Sequence, residues 1–268
     1  MTIRLVVSDV DGTIVTTDKS ISPSTVSAVA RLREAGIPLS LVSARPPRGM
    51  AYIQEALQLT GPLAGFNGGR VLAPDGTVLS EHLVPEASAR AALELFEARG
   101  ISVFVFADDD WLVRDFGGPH VAHERHTVRY DPVVVESFVP YLARVSKMVG
   151  VSDDEPMLAA VEKTLQGMVG PAATVKRSQT YYLDLTAKEA NKGNAIRMLA
   201  DVLKIDVAEI AVIGDMENDV PMFEAAGFSV AMGNASAAVK AKASTAAEAD
   251  NDRGGWAEAI DMVILAHA

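Results

Sequence analysis

Asp9 and Asp11 stand two positions apart in Asp9-Val10-Asp11-Gly12-Thr13, directly after the apolar run Ile3, Leu5, Val6 and Val7, which predicts a buried strand. Polar residues just past the carboxyl end of a strand in an α/β sheet lie where ligands bind. With Val10 turned the other way, both carboxylates can point into one pocket. Two such charges repel and raise one pKa unless a cation sits between them, so the pair fits either an acid/base couple or a site for Mg2+, which favours hard oxygen ligands. Gly12 permits a sharp turn or a close backbone approach, and Thr13 adds a hydroxyl. An Asp/Gly turn closing a strand would look the same in isolation.

Other segments repeat the pattern. Ser43 in Ser43-Ala44-Arg45 ends the apolar run Ile37 to Val42, and Asp215, Asn218 and Asp219 follow Ile210-Ala211-Val212-Ile213 and Gly214. Lys192 is a cation at a helix start. Singly, these read as a helix cap, an acidic first helical turn and a solvated lysine. Together they can converge only at one edge of a parallel sheet, the position of a ligand site in such folds.

The elements that must carry them alternate. Ser22-Pro23-Ser24 predicts a helix start, Val26, Val29, Ala30 and Leu32 recur at helical spacing, and Gly36 ends the run. A helix from about Arg48 to Leu59 and a short strand to Gly65-Phe66-Asn67-Gly68-Gly69 complete a strand-helix rhythm that implies a parallel sheet. The middle differs. Ser102 to Phe106 with Trp111 to Arg114, and Thr174 to Lys176 with Tyr181 to Leu185, read as hairpins, with a strand at Lys147 to Val151 and a helix from Glu155 to Gln166 between them. This predicts an α+β insert with an antiparallel sheet over 84–184. From Asn191 the first pattern returns, with Ala235 to Ala249 read as a helix plus loop. The expected fold is α/β: a doubly wound parallel-sheet (Rossmann-like) core from 1–83 and 185–268, with an inserted α+β cap domain.

At 268 residues, 49% apolar and 22% charged, the sequence suits a folded chain of two ordinary domains. A formal charge of -11 argues against a nucleic-acid partner, and an anionic substrate would need local cations or metal. The absence of cysteine excludes disulfides, thiolate catalysis and cysteine-ligated zinc, and fits a cytoplasmic setting. No export signal is read at the N-terminus, and nowhere do roughly 18 uncharged apolar residues run together, so no membrane span is expected. His120, His123 and His126, near Glu124 and Asp115, admit a metal site; their spacing also suits one face of a polar helix that, with Arg125 and Arg129, contacts substrate. Asp108-Asp109-Asp110 reads as a hairpin turn.

Asp9-Val10-Asp11-Gly12-Thr13, Ser43-Ala44-Arg45, Asn191-Lys192-Gly193 and Gly214-Asp215-Met216-Glu217-Asn218-Asp219 resemble the four ordered motifs of the haloacid dehalogenase-like phosphatases. Asn67-Gly68-Gly69 and Asn251-Asp252-Arg253-Gly254-Gly255-Trp256 are similar to pieces of the Cof-type branch, whose type IIB cap is inserted between the second and third motifs. The resemblance covers 1–83 and 185–268; the cap matches only in length, position and pattern.

The resemblance implies a Mg2+-dependent phosphatase acting on a small phosphorylated metabolite, such as a sugar phosphate, from a site between core and cap. Hinges are expected near 82–86 and 184–188. Asp9 resembles the nucleophile that forms an aspartyl-phosphate, and Asp11 the acid that protonates the leaving oxygen and then activates water. Asp9, Asp215 and the Asp11 backbone carbonyl resemble the metal ligands. Lys192 resembles the lysine that neutralises nucleophile and phosphate, Ser43 and Asn218 the phosphate-binding residues, and Asp219 a support for Lys192 or the metal's waters, with Gly12, Thr13 and Arg45 shaping the site. Ala44 stands where many relatives have glycine. An aspartate at position 11 points to phosphate esters rather than carbon-halogen bonds. The alternatives are a phosphomutase of the same superfamily, or a non-catalytic binding protein on this fold.

Overall fold

A computed structural model describes residues 2–267; residues 1 and 268, the ends of the core as read from sequence, lie outside the described residues. The first half of the core is β1 (Leu5–Ser8), α1 (Pro23–Glu34), β2 (Leu39–Val42), α2 (Ala51–Leu57), β3 (Leu63–Gly65), β4 (Arg70–Leu72) and β5 (Val78–Glu81). Strands β1, β2 and β3 are short buried runs, largely apolar, and α1 starts where Ser22 accepts the Thr25 N–H at 3.1 Å and Pro23 opens the first turn. The helix expected from Arg48 to Leu59 is instead a 3-10 turn, Pro47–Met50, followed by α2; it stops because Gln58 turns left-handed, with φ 49°.

The middle of the chain contributes α3 (Glu86–Ala98), β6 (Ser102–Ala107), β7 (Asp110–Val113), α4 (Val121–Val128), β8 (Val133–Val134), β9 (Val145–Val151), α5 (Glu155–Val169), β10 (Ala173–Gln179) and β11 (Tyr182–Ala187). The core then resumes with α6 (Lys192–Leu203), β12 (Ile210–Gly214), α7 (Val220–Ala225), β13 (Phe228–Ala231), α8 (Ala237–Lys240), β14 (Thr245–Ala246) and α9 (Gly255–His267).

These elements form two compact units. One runs to Leu79 and resumes at Asn191, and the other is Ser80–Ala190, so the insert begins inside β5 and ends beyond β11 rather than at 84 and 184. In the first unit the sheet order is β14-β13-β12-β1-β2-β3-β4-β5, parallel from β14 to β3 and antiparallel between β3 and β4. Alternation along β1 serves two cores. Val6 packs on one face with Leu32 of α1 and Ile260 of α9, while Leu5 and Val7 pack on the other with Ile196 and Leu199 of α6. Helices on both faces make this the doubly wound core. In the second unit the order is β10-β11-β9-β6-β7-β8, antiparallel except for β7 with β8. Phe96 of α3 and Leu158 and Leu165 of α5 share a core with Val105, Met148 and Leu183.

Candidate active site

β13, β12, β1 and β2 lie side by side and parallel, so their carboxyl ends open on one edge of the sheet. Asp9 and Asp11 follow β1, Ser43 and Arg45 follow β2, Asp215 follows β12 and Asn234 follows β13. The Asp9 N–H continues the ladder by donating to Ile213 O at 2.9 Å. Ser8 Oγ donates to Asp9 O at 2.7 Å and accepts Trp256 Nε1 at 2.9 Å, so α9 ties down the strand that presents Asp9.

Lys192 opens α6 because Asn191 caps that helix, its side chain accepting the Asn194 N–H at 2.9 Å. The Lys192 side chain has 0% exposure, and its Nζ lies 2.6 Å from Asp9 Oδ1 and 2.5 Å from Asp219 Oδ1. Asp219 spends its second oxygen on the Asp215 and Met216 N–H groups, both at 2.9 Å. Burial alone would lower the lysine's pKa, but Asp219 and Asp9 outweigh it and hold Lys192 above its ordinary value.

Asp215 accepts Thr13 Oγ1 at 2.9 Å on Oδ1 and Asn234 Nδ2 at 3.1 Å on Oδ2. Gly12 is required beside it: its φ is +74°, and a Cβ there would strike the Asp215 carboxylate. Asp9, Asp215 and Asp219 offer oxygens within 4.8 Å of one another. Burial, then the charge of Asp219, raises Asp9 well above the usual carboxylate range, and the same two causes lift Asp215 to about 6. Three carboxylates, two buried and Asp215 half-buried, around one ammonium leave negative charge uncompensated, which is the donor chemistry of a hard divalent cation. Asp219 spends its oxygens on the Lys192 ammonium and two backbone N–H groups, whereas Asp215 meets the neutral Thr13 and Asn234 donors, which leave its charge for a metal shared with Asp9. The Asp11 side chain is outside this cluster.

Asp11 instead lies in a fork. Arg45 Nε and its second terminal nitrogen donate to the two Asp11 oxygens, each at 2.7 Å, and Lys19 Nζ reaches Oδ1 at 2.5 Å. Burial would raise Asp11, but the Arg45 bonds and charge, with Lys19, hold it down at about 2. Arg45 is itself buried and also donates to Gly49 O at 3.3 Å and Tyr52 Oη at 3.4 Å. Buried Ser43 accepts the Arg45 N–H on Oγ at 3.2 Å, and its carbonyl accepts the Asn67 N–H at 2.7 Å. Asn218 Nδ2 donates to Asn67 Oδ1 at 3.3 Å, and Asn218 Oδ1 is buried without a partner.

The structure therefore draws Asp9, Lys192, Asp215, Asp219, Gly12 and Thr13 into one network and puts Asp11 with Arg45 in another. Lys19 and Asn234 were not singled out from sequence. Asn234 carried a usable signal, a polar residue just past the apolar run Phe228 to Met232. The histidines form no metal-capable group among the described residues: His120 stacks on Tyr181 at 4.2 Å and its Nε2 lies 2.7 Å from Asp153. No helix among the described residues is long and apolar enough to cross a membrane.

Comparison with known proteins agrees with this layout. The family model described as haloacid dehalogenase-like hydrolase matches residues 6–260. Pyridoxal phosphate phosphatase YbhA of Escherichia coli strain K12 is 29% identical over 253 residues, 91% of this chain and 92% of that one. HMP-PP phosphatase of Cronobacter sakazakii is 30% identical over 235 residues, 87% of this chain and 85% of its own. A solved haloacid dehalogenase-like hydrolase of Bacteroides thetaiotaomicron matches with a TM-score of 0.91 at 27% identity, covering 98% of this chain and 100% of that one. A family match running from β1 into α9, over motifs gathered at one sheet edge, shows that the chain belongs to the haloacid dehalogenase-like hydrolases.

Proposed function

We propose that the protein is a Mg2+-dependent cytoplasmic phosphatase that hydrolyses phosphate monoesters of small metabolites through an aspartyl-phosphate at Asp9. The carrying observation is that buried Asp9 shares Lys192 with Asp219 and lies within reach of Asp215. Asp9, Asp215 and the Asp11 carbonyl would hold Mg2+, which when bound supplies positive charge that tempers repulsion between carboxylate and phosphate.

The chain's own residues supply the rest. An Asp9 oxygen bonds to phosphorus as the bond to the ester oxygen breaks, and that oxygen takes a proton from Asp11. A water then gives a proton to Asp11 and its oxygen to phosphorus, the bond to Asp9 breaks, and phosphate leaves. Lys192, the Ser43 hydroxyl and the Asn218 amide bind the charged oxygens of the transferring group. Asp11 must leave the Arg45 and Lys19 fork for both proton transfers, because a carboxyl held at about 2 carries no proton to give and accepts one poorly. The Ser80–Ala190 unit serves as the cap that selects the leaving group. Relatives named for pyridoxal phosphate and HMP-PP support small phosphorylated metabolites as the substrate class, with sugar phosphates among the candidates.

The test is phosphate release from a panel containing p-nitrophenyl phosphate, pyridoxal 5′-phosphate and hexose phosphates, with wild type, Asp9→Asn and wild type in excess chelator. Asp9→Asn is expected to lower kcat about 10³-fold or more, and chelator to stop turnover reversibly. Undiminished hydrolysis by Asp9→Asn would overturn the mechanism, and activity persisting in chelator would overturn the metal's role.

A further inference from the structure

The loop after β13 supplies a residue that none of the four motifs contains. Asn234 Nδ2 donates to the Gly12 carbonyl at 2.9 Å and to Asp215 Oδ2 at 3.1 Å. Its Oδ1 accepts the Asn251 backbone N–H at 3.3 Å, and Asn251 Nδ2 donates to the Val15 carbonyl at 3.0 Å. The amide cannot be turned round. Gly12 O can only accept and the Asn251 N–H can only donate, so the Nδ2 end must face Asp215. The backbone beneath is fixed as well: the Gly233 N–H donates to Ala249 O at 3.0 Å, and a side chain at 233 would strike that carbonyl.

Charge separates Asp215 from the other aspartates. Asp9 and Asp219 lean on Lys192, and Asp11 leans on Arg45 and Lys19. Asp215 is held by two neutral donors, the Thr13 hydroxyl on one oxygen and the Asn234 amide on the other. An ammonium or guanidinium there would satisfy the carboxylate and compete with an incoming cation. A neutral amide fixes its direction and leaves its charge unspent, the way outer residues orient metal ligands.

We propose that Asn234 is a positioning residue for the divalent-metal site, oriented by Asn251, so that the loops after β13 and before α9 hold Asp215 and the Gly12 turn ready for the cation. This rests on the metal reading above. The experiment is calorimetric titration of MgCl₂ into the full-length wild type, Asn234→Ala and Asp215→Asn, with thermal melts of each protein without metal.

Asn234 is exposed, so the metal-free melting temperature of Asn234→Ala is expected within ~2 °C of wild type. Its Kd for Mg2+ is expected to rise about 10- to 100-fold, with most of kcat returning at saturating Mg2+. A Kd within twofold of wild type overturns the proposal, as does a loss of activity that Mg2+ cannot restore and that accompanies a lower melting temperature. A wild type that takes up no Mg2+, or an Asp215→Asn that binds like wild type, overturns the metal reading instead. Should Asn234→Ala not fold, Asn234→Ser keeps a polar residue at this exposed position but cannot span both acceptors, and it carries the same expectation.

Discussion

Lys192 is a lysine without exposed surface, and its charge is kept by two carboxylates, Asp9 at 2.6 Å and Asp219 at 2.5 Å. Removing one partner of a buried pair costs about 3–5 kcal/mol, since the other charges stay buried. Lys192→Met is therefore expected to lose stability by that order in urea unfolding while also losing phosphate release. A stable but inactive Lys192→Met would show that the lysine acts on substrate alone. At this scale the sequence was informative where chemistry follows from a residue's type and its place at an element's end, as for Asp9, Asp215 and Lys192. Arg45 and Lys19 around Asp11, and Asn234 beside Asp215, were not legible as partners, because such bonds join separate loops and obey no spacing along the chain.

Among the elements, the β1 to α1 connection does the most to shape the site. Its turn needs Gly12 at φ +74°, with the space of a Cβ taken by the Asp215 carboxylate from the other half of the core. Gly12→Ala is expected to lower stability by about 1–3 kcal/mol through the strained backbone and to weaken Mg2+ binding by displacing Asp215, both measurable by melts and calorimetry. An unchanged Mg2+ affinity in that variant would mean that the turn does not set the carboxylate's position. Strands β1, β2 and β12 and the helix starts at Ser22 and Asn191 could be read ahead because apolar runs and polar residues ahead of a helical pattern are local signals. Helix α3 escaped the reading although Ala89, Ala92, Leu93 and Phe96 recur at helical spacing, and the alanine-rich stretch from Ala235 yields only the four-residue α8, since few of its side chains can pack. The polar segment at His120 becomes α4, with weak amphipathic character to announce it.

For the whole molecule, the carboxylates set opposite pH trends for metal-free stability and metal uptake. Asp215 in the folded chain sits at about 6 against an ordinary 3.8, so between those values the folded state holds more protons than the unfolded one. Its contribution to metal-free stability therefore grows as pH falls through 6 and is lost as pH rises through it. Asp11, held at about 2, contributes oppositely, its stabilisation being present above 3.8 and lost only as pH falls towards 2. Mg2+ must displace the Asp215 proton, so its affinity is expected to fall up to roughly tenfold per pH unit below 6. Calorimetry and metal-free melts of the wild type from pH 5 to 8 would show both trends, and Asp215→Asn should weaken the stability trend while Asp9, also raised, keeps its share; parallel trends would contradict the assignment.

The order of the strands carries a consequence for how the chain is made. Strand β1 lies between β2, which follows it closely, and β12, whose Ile210 pairs with Leu5. On the ribosome, Asp9 emerges long before Lys192 and Asp215, and the whole Ser80–Ala190 unit is synthesised in between. During that interval β1 is an apolar edge strand with one side unpaired, the kind of edge that invites association with other chains. The candidate site, which needs residues from both halves of the core, is therefore completed late in synthesis, and its first-made half has the greatest need of protection until then.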